Sequence, residues 1–191
     1  MKKLTTIFVT ALLIFIFVGC GSQSADNKNQ GGQSKYAESL DVLKEVVKVY
    51  KENEVFAMYG GNQENPVMDA PGKFDISKTE ELENVLGLPQ SQASNIEDAA
   101  SMVHMMNTNT FTGAVYRLKS STDINNFAEA VKANILAKQW LCGQPDTLIL
   151  INVDGTYIIT AYGEAEIMQI FKNNALSALS GAKVIVETPI V

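Results

Sequence analysis

Apolar residues recur at helical spacing through residues 35–53. Tyr36, Leu40, Leu43, Val47 and Tyr50 fall at alternating four- and three-residue steps, which places them on one stripe. Ser34 stands where it can cap the start of that helix. The apolar pentapeptide 55–59 predicts a short buried segment. Gly60 and Gly61 then open a loop punctuated by Pro66, Pro71 and Gly72. Ser77 and Glu80 have capping-box spacing, so a short helix is expected to follow and to stop at Gly87, with Pro89 just beyond. A further helix is predicted over 93–106, with Ile96, Ala99, Ala100, Val103 and Met106 turned inward.

From residue 110 the pattern becomes regular. A strand over 111–118 precedes a helix over 123–140, with Ile124, Phe127, Ala128, Val131 and Ile135 on one face. The aliphatic stretch 147–153 reads as a strand and Asp154-Gly155 as a tight hairpin turn. Residues 156–162 form the returning strand. A helix over 164–179 ends at Ser180-Gly181, and 182–190 reads as a last strand rich in valine and isoleucine. The order β-α-β-β-α-β predicts an α+β fold with a ferredoxin-like split arrangement, an antiparallel sheet with both helices on one face. Residues 35–109 are expected to be a helical region packed with the 110–191 core as one domain. Their helices would cover the other sheet face or an edge.

The first 20 residues have a different organisation. Lys2 and Lys3 precede an apolar run over 7–18 that only Thr10 interrupts. About 20 apolar residues are needed to span a bilayer, so this run suits the apolar region of a signal peptide. Phe17-Val18-Gly19-Cys20 follows, in the manner of a lipoprotein processing site, although Phe17 replaces the usual leucine. Residues 1–19 are thus expected to be removed and Cys20 to carry the lipid, including palmitate. Two acyl chains suffice for stable anchoring where one does not. Residues 22–34, SQSADNKNQGGQS, have almost nothing to bury and read as a flexible tether of about 20 Å.

The chain has 191 residues with Lys+Arg 15 against Asp+Glu 21. Loss of Lys2 and Lys3 with the leader deepens the net charge from −6 to −8. That balance argues against nucleic acid and against a surface that hugs anionic lipid. With Cys20 lipidated, Cys142 is the one remaining thiol, so an internal disulfide is excluded.

The stretches Gly72-Lys73-Phe74-Asp75, Leu86-Gly87-Leu88-Pro89, Glu97-Asp98-Ala99-Ala100-Ser101, Asn107-Thr108-Asn109-Thr110-Phe111 and Lys138-Gln139-Trp140-Leu141-Cys142-Gly143 resemble a family of small predicted lipoproteins of clostridial-type Gram-positive bacteria. The resemblance covers about residues 55–191. Its central region is similar to a domain of unknown function, and some members carry the label bacteriocin transport accessory protein. The resemblance implies a surface lipoprotein and assigns no catalytic residues. Accessory proteins of that name are often thioredoxin-like with a Cys-x-x-Cys pair, which this chain lacks.

The chemistry-bearing residues are few. Cys142 and His104 are the one Cys–His combination, and Cys142 follows a helix C-terminus, where the dipole opposes a thiolate. Met102, His104 and Met106 are soft donors of the kind that hold Cu(I), yet His104 would point about 200° away from Met102 on a helix at 100° per residue. Asn62, Asp69 and Asp75 lie in the long 60–75 loop, a candidate ligand loop that has neither phosphate-loop nor EF-hand spacing. Trp140 and Arg117 are the sole tryptophan and arginine. The first is expected to pack its helix end on the sheet, the second to be an edge charge. These residues lead to a non-enzymatic, lipid-anchored accessory or binding protein on the extracytoplasmic face, with no cofactor and with an envelope partner such as a transporter. The alternatives are a small-molecule or soft-metal binding module and, third, a cysteine hydrolase.

Overall fold

The structure, a computed structural model, describes residues 34–141 and 143–191. The leader, Cys20 and Cys142 lie outside them. Among the described residues no helix is long and apolar enough to cross a membrane.

The protein is α+β, built on one open antiparallel sheet of eight strands. Its centre comprises β4 (Ile96–His104), β5 (Phe111–Leu118), β6 (Thr147–Val153), β7 (Tyr157–Gly163) and β8 (Ala182–Pro189), in the order β4-β5-β7-β6-β8. Three short strands finish the other edge: β1 (Met58–Gly60), β2 (Val67–Met68) and β3 (Gly72–Phe74). β1 and β3 both pair with β4, and β2 pairs with β1.

Both faces of β4, β5, β6 and β7 are largely buried. Along β5, Phe111 and Val115 enter one core, and Ala114, Tyr116 and Leu118 the other. β6 and β7 divide likewise, Ile149, Ile151 and Ile159 against Leu148, Leu150 and Ile158. Helices therefore cover both sides. On the first face lie α1 (Ser39–Lys48) and α4 (Ala165–Ala178), through Val42, Leu43 and Val46 and through Met168, Phe171 and Ala175. On the second lie α2 (Thr79–Asn84) and α3 (Ile124–Leu136), through Leu82 and through Phe127, Val131 and Ile135. Each large side chain so buried contributes about 1.5–3 kcal/mol.

This architecture corrects three expectations. The ferredoxin-like arrangement would put the last strand beside the first and both helices on one face. Instead β8 pairs with β6, because β4 already occupies the free edge of β5, and α3 and α4 lie on opposite faces. The helix expected over 93–106 is the strand β4. Its Ala99 and Val103 face one core and its Ala100 and Met102 the other, and a strand buried on both sides loses the alternation that would mark it. With β4 and β1 to β3, residues 35–109 are a mixed region that builds half the sheet rather than a helical one.

Local signals explain much of the rest. Asp123 caps α3 by accepting from the N–H groups of Asn125 and Asn126. α1 is capped by a reciprocal Glu38–Asp41 box rather than by Ser34. Asp154 (φ 50°) and Gly155 (φ 77°) form the β6–β7 turn, closed by the Thr156 N–H donating to the Val153 carbonyl at 3.1 Å. Gly87 (φ 78°) ends the segment after α2, with the Leu88 N–H returning to the Leu82 carbonyl at 3.1 Å.

β1 and β3 run in the same direction along β4, and the end of β1 meets the start of β3 at Gly60 and Gly72. A Cβ on Gly60 would overlap the Gly72 nitrogen, and one on Gly72 would lie 2.5 Å from the Gly60 carbonyl carbon. Ser101 on β4 locks the junction, its Oγ accepting from the Gly61 N–H at 2.9 Å. Gly60→Ala and Gly72→Ala should each lower the free energy of unfolding by about 2–3 kcal/mol, because backbone must move to admit the methyl. Gly113→Ala meets only the Phe111 ring, at 2.9 Å, and should cost less. Urea melts of the three variants measure the ranking.

Candidate functional site

The sheet has two ends. One carries the β6–β7 turn, the end of β5 and the start of β4; the other carries the β4–β5 loop, the end of β7 and the chain leaving α3. The described chain begins at the first. There the Ser34 Oγ donates to Asp154 Oδ2 at 2.7 Å, and the Tyr157 hydroxyl donates to the Tyr36 carbonyl at 2.9 Å. The Ser39 N–H donates to Asp98 at 2.6 Å and Arg117 to the Ala37 carbonyl at 3.0 Å. Arg117 also pairs with Glu97 at 3.4 Å, so it pins α1 to the sheet rather than serving as a plain edge charge.

A cleft of about 600 Å³ opens at the opposite end. Its walls come from the end of α2, the β4–β5 loop and the segment after α3. Trp140 packs on Tyr162 at 5.3 Å between ring centroids, as its expected role at the helix end requires. The Lys138 ammonium lies over both rings, 5.1 Å from Trp140 and 5.6 Å from Tyr162. Burial holds its pKa below that of a free lysine. Asn109 ties the two loops together by donating to the Gly143 carbonyl at 2.6 Å. Met106 (82 % exposed) and Leu141 (92 %) form an apolar rim.

Four consecutive carbonyls from the end of α2 are each bonded; the first two, of Asn84 and Val85, form the floor of the cleft, and those of Leu86 and Gly87 lie behind it. Lys138 Nζ donates to Asn84 at 2.9 Å, Tyr162 to Val85 at 2.8 Å, Tyr116 to Leu86 at 3.2 Å and Asn134 to Gly87 at 3.1 Å. These are the acceptors that a helix terminus leaves open. Burial pushes the Tyr162 hydroxyl up to about 12 and that of Tyr116 well above its ordinary value. Both therefore remain protonated donors. Trp140 Nε1 is buried and has no hydrogen-bond partner among the described residues.

The residues singled out in the sequence lie elsewhere, apart from Met106 and Trp140. Asn62 and Asp75 do come together, as a clasp. The Asn62 side chain accepts from the Asp75 N–H at 2.6 Å and donates to Glu81 at 3.0 Å. Asp69 (φ 56°) closes the turn after β2, its N–H donating to the Met58 carbonyl, and bonds to neither. Met102 is wholly buried in the α1/α4 core, whereas Met106 is at the cleft rim. His104 stacks on Phe56 at 5.5 Å, and its Nδ1 accepts from the Met106 and Asn107 N–H groups at 3.3 and 3.4 Å. The soft-donor trio is not assembled, since a strand sends Met102 into the core. Among the described residues no three His, Cys, Asp or Glu side chains converge to hold a metal. Cys142, the other half of the Cys–His combination, lies outside the described residues. Sequence reasoning missed Lys138 and Tyr162; the run Lys138-Gln139-Trp140 was the available signal.

No family model, no curated protein and no solved structure matches the chain. The functional reading rests on the geometry and the sequence.

The clasp generates a pH test. Asp75 accepts from the Ser77 hydroxyl at 2.7 Å and the Ser77 N–H at 2.9 Å, which hold its carboxyl below the usual range. A lowered folded-state pKa stabilises the fold above the unfolded-state value, and that stabilisation is lost as pH falls through the folded one. Ser77→Ala removes the hydroxyl donor, so the Asp75 carboxyl should titrate at higher pH than in the parent. Side-chain carboxyl NMR measures the shift.

Proposed function

We propose that this protein is a lipid-anchored, extracytoplasmic binding or accessory protein of non-enzymatic character. It is held by Cys20 and presents the cleft away from the membrane to a ligand or an envelope partner. One observation carries the reading: the described chain begins at Ser34 at one end of the sheet, and the cleft opens at the other. Eight residues of β5 at about 3.3 Å each separate the two by about 25 Å. A domain held at the near end keeps its cleft open to the surroundings.

The cleft is suited to binding. Its volume falls within the ~300–1,000 Å³ common for ligand pockets. Aromatic, aliphatic and amide side chains supply its walls, and its position is fixed by the bonded floor. The basic leader, the short apolar run and Cys20 supply the anchoring half of the reading. Metabolic labelling with palmitate should mark the full chain in cells of a lipoprotein-processing bacterium. Cys20→Ala should abolish the label and release the protein from washed membranes. Retention of the unlabelled variant on the membrane would refute the anchor.

A further inference from the structure

Among the described residues the cleft's walls contain no carboxylate, although the chain has 21 acids against 15 bases. Lys138 is the one charged group among those described walls. Among the described residues it pairs with no Asp or Glu, in contrast to the surface lysines 48, 51, 73, 78, 132 and 172. One of the three ammonium donors is used on the Asn84 carbonyl, which leaves two. An ammonium half-removed from water without a counter-charge is costly, and an incoming anion offsets that cost.

The surroundings narrow the anion. Met106 and Leu141 expose apolar side chains at the rim, beside the ring of Trp140. The amides of Gln63, Asn109 and Gln139 also line the cleft and can both donate and accept. A bare phosphate leaves the apolar rim unused. A peptide end offers a carboxylate, a main chain of N–H and C=O groups, and an apolar side chain.

We propose that this cleft binds the C-terminal carboxylate of a short peptide with an apolar last residue, Lys138 taking the carboxylate and the Met106–Leu141–Trp140 rim the side chain. The assignment rests on the binding reading above and names its ligand class.

Trp140 is the only tryptophan in the chain, so its emission reports on the cleft directly. The full-length protein in mild detergent is titrated with N-acetyl tripeptides ending in Leu, Met, Phe or Val. Each is used as the free acid and as the C-terminal amide. At least one acid should shift the emission saturably below ~1 mM, the weak end of specific recognition. Its amide should bind about tenfold or more weakly, since a charge-assisted contact is lost. Lys138→Gln should weaken the acid and leave the amide unchanged, with far-UV circular dichroism verifying the fold. If that variant unfolds, the acid–amide comparison on the parent protein decides alone. Equal binding of acid and amide would overturn the carboxylate assignment and leave the cleft a binding site. Absence of saturation with every acid and every amide would overturn the assignment and the binding role of the cleft together.

Discussion

Burial of both faces of the central sheet is the constraint on which the rest of this structure depends. β5 and β7 carry apolar or small side chains to both sides and place almost nothing in water. Such strands are stable only under two helical layers. α3 and α4 therefore occupy opposite faces, with α2 completing one layer and α1 the other. The same constraint directs the edges. β4 takes the open side of β5, so β8 must close the sheet against β6. β4 in turn needs partners on its outer side, and β1 and β3 supply them end to end through Gly60 and Gly72.

Elements whose periodicity reflects a single buried face were legible in the sequence. α3 and α4 showed their apolar stripes, and the β6–β7 hairpin showed its Asp-Gly turn. β4 was illegible because its two alanines and Met102 fill two cores at once and favour helix by intrinsic propensity. The partner of β8 could not be read either, since strand pairing at an edge depends on what already fills the alternative edge. The cleft was legible only in fragments. Met106 and Trp140 stood out as sequence. The carbonyls at the end of α2 and their donors Lys138, Tyr162, Tyr116 and Asn134 come from four elements that only the fold brings together.

The proposed function rests on the polarity of the domain along the strand direction. The chain reaches the sheet at the β6–β7 turn, where Tyr36, Ala37 and Ser39 are held by Tyr157, Arg117 and Asp98. Those bonds fix α1, and with it the start of the described chain, to one end of the sheet. The loops that line the cleft gather at the other end and are braced by Asn109 on Gly143. A pocket so placed would need no moving part to stay accessible under the proposed anchoring. The residues first attractive for chemistry, Met102 and His104, serve packing and turn closure instead.

The position of Trp140 relative to the bilayer tests this account most directly. The mature protein, lipidated at Cys20, is reconstituted into vesicles, and Trp140 emission is compared in ordinary and brominated phospholipid. Bromine quenches only at short range, and the cleft is proposed to lie about 25 Å beyond the point of tether attachment. The account predicts emission indistinguishable between the two lipids. Strong quenching by the brominated lipid would contradict it, since it would place the cleft against the membrane.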